Sequence, residues 1–183
     1  MKVILRQSNT KDLESIYELQ TKCFIKSEHW YRNAIQNYLD DGYVLEIILQ
    51  DNKSKIIGVL LHGKIVPCNE GIFNNSGDVF VPMNDNGKYF LNNNLHKKPI
   101  EGITMICVHP KFRNKGLAQK LITKYHGDNK NKLLCLNTRA SNPAFNLYVK
   151  TGYEHIGTIN DKYFLPTEDS MFMIKNNYDA VSS

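Results

Sequence analysis

Residues 102–118, GITMICVHPKFRNKGLA, read as a strand that runs into a tight basic turn and then a helix. Ile103, Met105, Ile106, Cys107 and Val108 make a nearly continuous apolar run, the pattern of a strand covered on both faces. Pro110 ends it, because proline cannot donate to a sheet ladder and turns His109 away from helical geometry. From Gly116 onward Leu117, Leu121 and Tyr125 recur at spacing four, with Ala118 and Ile122 widening the same apolar stripe. The first amides of a helix lack intrahelical partners and carry partial positive charge, so an anion is stabilised there. Gly116 lets a ligand approach the backbone, while Lys111, Arg113 and Lys115 add full charges around it. The turn reads as a pyrophosphate cradle; the same letters also fit a plain surface connection with a solvated basic turn. Leu117 and Ala118 after Gly116 exclude a Walker A loop, and no GxGxxG is present to make a dinucleotide fingerprint.

Residues 133–153, LLCLNTRASNPAFNLYVKTGY, repeat the strand, turn and helix. Residues 133–136 are the strand, Asn142 is a good helix N-cap, Pro143 suits the first helical position, and Gly152 follows the last helical residue as a stop. Together the two segments make a parallel β-α-β unit.

These residues carry a family resemblance. RNKGLA (113–118) resembles the acyl-coenzyme A pyrophosphate loop of the GNAT superfamily of N-acetyltransferases, in which Gln or Arg, two variable residues, Gly, one variable residue and Gly or Ala follow one another. Asn142, then Leu147, Tyr148, Lys150, Gly152 and Tyr153, look like the family's second signature. The match is firm over residues 102–157 and compatible with the remainder. The fold it implies is α/β (α+β): a mixed, mostly antiparallel twisted sheet of about seven strands whose central parallel pair splays open, flanked by about four helices.

The resemblance also implies the chemistry, which is acetyl transfer from acetyl-CoA to a primary amine of a small molecule or peptide by direct attack on the thioester. The backbone amides of Asn114, Lys115, Gly116, Leu117 and Ala118, with Arg113, are expected to hold the pyrophosphate. Backbone groups of Ile106 and Val108 are expected along the pantetheine, with the Val108 N–H as oxyanion donor. Asn142 is expected to touch the pantetheine arm as well as cap its helix. Tyr148 is the candidate general acid, protonated at neutral pH and able to give a proton to the leaving thiolate. Phe145, Tyr148 and Tyr153 equally form the buried side of a short helix. The base is looked for on the strand before the loop, where Glu101 stands; the same residue reads as a solvated strand-end charge, and Thr104 can orient a water. Glu28, Asp161 and Glu168 fall in loops that border the acceptor site in such proteins. The alternative to an enzyme is an inactive GNAT-fold module that binds coenzyme A as sensor or scaffold. Neither reading needs a metal.

Composition fits this frame. The 183 residues suffice for one domain, residues 1–183, and the net charge of +5 favours an anionic ligand without arguing for nucleic acid. Cys23, Cys68, Cys107 and Cys135 show no CxxC spacing and read as reduced thiols. No apolar run reaches membrane-spanning length and no leader pattern is present, so a cytoplasmic monomer or homodimer is the expectation.

Outward from the decisive segment, residues 3–5 read as a first strand, a helix starts near Asn9 or Thr10, and a second helix covers 28–39. Residues 43–49 and 56–65 make an antiparallel pair, and 154–159 and 170–174 make the last one. Residues 67–99 are Asn-rich and read as an insertion in which 79–81 and 89–91 pair as a hairpin.

Overall fold

The computed structural model describes residues 2–49, 53–68, 71–74, 79–82, 99–164 and 168–178. Its strands are β1 (Val3–Gln7), β2 (Tyr43–Ile48), β3 (Ser54–Cys68), β4 (Gly71–Asn74), β5 (Val79–Pro82), β6 (Ile100–Val108), β7 (Leu133–Arg139), β8 (Glu154–Phe164) and β9 (Glu168–Asn176). Seven lie in the order β1-β2-β3-β6-β7-β9-β8, and β4 and β5 extend from β3 off that path. The helices are α1 (Leu13–Cys23), α2 (Arg32–Gln36), α3 (Leu117–Asp128) and α4 (Phe145–Lys150). Among the described residues these make a mixed sheet with four helices, the kind of architecture the resemblance implies.

The ladders β1–β2, β2–β3, β3–β4, β4–β5, β7–β9 and β8–β9 are antiparallel, and β6–β7 is parallel. The parallel ladder covers Ile100–Ile103 against Leu133–Leu136, whereas β6 runs on to Val108 and β7 to Arg139. The parallel ladder therefore ends at Ile103, five residues before the strand does.

The chain divides into two compact units, Met1–His62 with Thr104–Tyr125 and Gly63–Ile103 with His126–Ser183. In the first, the apolar face of α1 (Ile16, Leu19) packs with Ile35, Tyr38, Val44, Val59, Leu61, Met105 and Cys107. Each such side chain contributes about 2 kcal/mol by leaving water. The entry to α1 is a capping box, in which Asn9 Oδ1 accepts from Lys11 N–H at 3.0 Å and Asp12 Oδ2 accepts from Asn9 N–H at 2.9 Å. The continuous helix expected over 28–39 is broken instead: a 3₁₀ turn at Lys26–Glu28, the five-residue α2, and a 3₁₀ turn at Leu39–Asp41. The reason is local. Tyr31 supplies no capping side chain, and Asn33 Oδ1 accepts from Ala34 N–H at 2.9 Å, the kind of side-chain bond that competes with a helix.

In the second unit, Leu133, Leu134, Cys135 and Leu136 are all buried, as a strand covered on both faces requires, and Phe172, Met173 and Ile174 of β9 join them. The expected strand at 79–81 exists as β5, but it pairs with Gly71–Asn74. The proposed partner segment, 89–91, lies outside the described residues.

Candidate functional site

In the first unit the site begins at the end of β6. His109 N–H donates to Ile57 O on β3 at 2.8 Å, so strand alternation turns the backbone groups of Val108 and Ile106 to the opposite edge, where the parallel ladder has already ended. Those are the two positions the sequence singled out for pantetheine. His109 then starts a 3₁₀ turn over Pro110–Phe112, its Nδ1 accepting from Lys111 N–H at 3.2 Å. Burial and the surrounding Lys55, Lys22, Lys111 and Arg113 push the His109 pKa below its ordinary value. A positive field thus surrounds the start of the turn.

The turn itself folds through two left-handed residues, Asn114 (φ 61°) and Gly116 (φ 70°). A Cβ on Gly116 would meet nothing within 4 Å, so the glycine satisfies its backbone conformation and leaves bare space over the chain. The first helical hydrogen bond runs from Lys120 N–H to Gly116 O at 3.0 Å, which leaves the amides of Leu117 and Ala118 without intrahelical acceptors. Asn114, Lys115 and Gly116 are exposed. The residues fit a pyrophosphate: amides, a positive field and no Cβ in the way.

Arg113 also has a role inside the chain. Its guanidinium holds the turn to the strand, with Nε donating to Val108 O at 3.1 Å and Nη2 to Cys23 O at 3.5 Å. Val108 O also accepts from the Cys23 thiol at 3.5 Å. The Val108 carbonyl therefore has partners within the chain, and its N–H lies beyond the end of the parallel ladder. The sequence marks Cys23 only as a reduced thiol; nothing in its spacing could have placed its sulfur on Val108.

In the second unit Asn142 caps a turn ahead of α4 and not the helix itself. Its Oδ1 accepts from Ala144 N–H at 2.9 Å and its carbonyl from Phe145 N–H at 3.0 Å, so Pro143 sits inside that turn and the helix starts two residues later than expected. At the other end Gly152 is left-handed (φ 91°), Gly152 N–H bonds Val149 O, and Tyr153 N–H bonds Tyr148 O, both at 3.0 Å. That is a Schellman stop. The Tyr148 and Tyr153 rings meet edge to face at 6.0 Å across it. Tyr148 is 4% exposed, and burial raises its pKa above the ordinary phenol value. Tyr148 thus belongs to the core and stays protonated at neutral pH.

Glu101 is not a solvated charge. It is 4% exposed and its Oε2 accepts from Lys132 Nζ at 3.0 Å; Lys132 also reaches Asn129 Oδ1 at 2.7 Å. To take a substrate proton it would have to give up that ion pair. In the first unit the Thr104 hydroxyl donates to Leu61 O at 3.1 Å. Glu168 opens β9 and accepts from Ser141 N–H at 2.6 Å, a bond that, with Arg139 nearby, holds its pKa below the usual carboxylate range. Asp161 falls within β8, and its side chain lies outside the described set. Among the described residues no group of three or more His, Cys, Asp or Glu is arranged to hold a metal ion, and no helix is long and apolar enough to cross a membrane.

Comparison with known proteins gives the same frame. The acetyltransferase (GNAT) domain model matches residues 75–155. The ribosomal-protein-S18-alanine N-acetyltransferase of Escherichia coli is similar in structure, with a TM-score of 0.66 at 16% identity, covering 100% of this chain and 98% of that one. Arabidopsis thaliana NAA60 in complex with acetyl-CoA gives a TM-score of 0.71 at 15% identity, covering 96% and 99%. The NatC complex bound to Gag peptide and CoA gives 0.68 at 19% identity, covering 96% and 99%. No curated protein matches the chain.

Proposed function

We propose that this chain, which carries a GNAT acetyltransferase domain match and the GNAT fold, moves an acetyl group from acetyl-CoA to a primary amine by direct attack on the thioester. The observation that carries the reading is the bare, left-handed glycine at the start of α3, set in a positive field directly after a strand edge released from its ladder. Amides of Asn114–Ala118 bind the pyrophosphate, backbone groups of Ile106 and the N–H of Val108 line the pantetheine, and the Val108 N–H receives the oxyanion as the amine adds to the carbonyl carbon. Asn142 serves the same arm. Tyr148, protonated at neutral pH and more firmly so through burial, gives its proton to the departing thiolate. With Glu101 paired to Lys132, water takes the proton from the amine and Glu101 stands second to it.

A peptide amine is the favoured acceptor within this proposal, supported by neighbours whose structures contain a Gag peptide or a bisubstrate analogue. The free thiols Cys23, Cys107 and Cys135 support a cytoplasmic setting. The pairing of Glu101 also favours a second reading, a coenzyme A-binding module without turnover. A thiol-release assay with acetyl-CoA, small amines and short peptides decides. Release that depends on the acceptor supports the enzyme, and tight coenzyme A binding with no release on any acceptor supports the module.

A further inference from the structure

The C-terminal residue of α1, Cys23, and the penultimate residue of β6, Cys107, bring two thiols together in the first unit. Cys107 belongs to the apolar core at 7% exposure, and Cys23 packs against that core from its rim, half-buried. The Cys23 thiol reaches Val108 O, the carbonyl next in sequence to Cys107, at 3.5 Å, and Arg113 grips both Val108 O and Cys23 O. We propose that Cys23 is a modification site for small disulfides and that Cys107 resolves the adduct, closing a reversible Cys23–Cys107 disulfide at the root of the basic turn.

Three features point the same way. Cys23 packs against the buried cluster that holds Cys107, and its sulfur lies 3.5 Å from the carbonyl oxygen of the very next residue, Val108. Hydrogen bonding from Cys107, with Arg113 and Lys22 nearby, pulls Cys23 below the ordinary thiol pKa against the opposing effect of burial, while the same contact and burial push Cys107 up. Roles are therefore divided by access. An external disulfide meets Cys23, and the buried Cys107 meets only Cys23.

With oxidised glutathione as the oxidant, the Cys23 thiolate attacks one sulfur, the glutathione S–S bond breaks, and one glutathione leaves as a thiolate. Cys107 then loses its proton and attacks the Cys23 sulfur, and the second glutathione leaves. Two protein thiols are oxidised, one glutathione disulfide is reduced to two thiols, and the two protons released by the cysteines end on the glutathiones. The chemistry does not depend on what the basic turn binds.

The test is site-resolved peptide mapping of the full chain across a series of glutathione redox buffers. The expected product is a linked Cys23–Cys107 peptide that reverts on adding reduced glutathione. Cys107→Val should trap the glutathione adduct on Cys23 at full occupancy, and Cys23→Ser should leave Cys107 reduced. Cys23 still fully alkylatable in oxidising buffer, a persistent wild-type adduct beside reduced Cys107, or a link to Cys68 or Cys135 instead would overturn the proposal. The wild-type map decides alone if a variant does not fold.

Discussion

The turn between β6 and α3 and the turn between β7 and α4 join the same kinds of element, and they are built in opposite ways. Around Asn142 the chain closes on itself: Asn142 Oδ1 holds Ala144 N–H, Glu168 holds Ser141 N–H, and the Schellman bonds at Gly152 finish the helix. Around Gly116 the chain fixes only the root of its turn, through Arg113, and leaves exposed left-handed backbone and the first amides of a twelve-residue helix facing outward. One turn stabilises the fold; the other keeps its donors for something else.

The sharpest way to break this contrast is Gly116→Glu, which puts bulk and negative charge into the bare space and should weaken coenzyme A binding at least about a hundredfold in calorimetry. Unchanged affinity would refute the pyrophosphate assignment. Tyr148→Phe comes next: turnover should fall by about a hundredfold while coenzyme A affinity stays nearly constant, a split read from single-turnover and binding data. A wild-type rate removes Tyr148 from the chemistry. Gly152→Ala should cost about 1–2 kcal/mol of stability in denaturant titration, because an alanine is strained at φ 91° and its Cβ would stand 2.5 Å from Lys175 Nζ. Coenzyme A affinity should not follow. Asn142→Ala should cost about 1 kcal/mol by removing the cap, and an additional loss of coenzyme A affinity would show that this turn also serves the ligand.

A smaller effect concerns pH. His126, whose ring lies 3.4 Å from the Tyr153 hydroxyl, is driven from 6.5 down to about 4 by burial and by Lys175. Between those values the unfolded chain binds a proton that the folded chain refuses, so stability is whole above pH 6.5 and declines as pH falls towards 4. Thermal melts of His126→Gln should show a weaker slope across that window; an identical slope would assign the effect to another group.

Much of this contrast was legible in the sequence because it rests on local rules. Gly116 and Gly152 stand where left-handed backbone is needed, and Ile103–Val108 and Leu133–Leu136 show their burial in composition alone. What escaped depends on partners distant in the chain. That Arg113 ties the turn to Val108 O and Cys23 O could not be read from its place in the motif. Glu101 looks like a surface acid until Lys132, thirty-one residues on, comes to it. The helix expected over 28–39 is interrupted for a closer reason: the side chain of Asn33 takes the Ala34 amide that a continuous helix would use.

The early end of the parallel ladder has a consequence for solvent exchange. Beyond Ile103 the amides of Ile106 and Val108 point to an edge that β7 no longer pairs, although the residues around them belong to the buried core. In deuterated buffer these two amides should exchange much faster than Cys107 and His109 on the opposite edge of the same strand, and added coenzyme A should slow them. An alternating pattern of fast and slow amides along one buried strand would thus report ligand arrival without any assay of turnover.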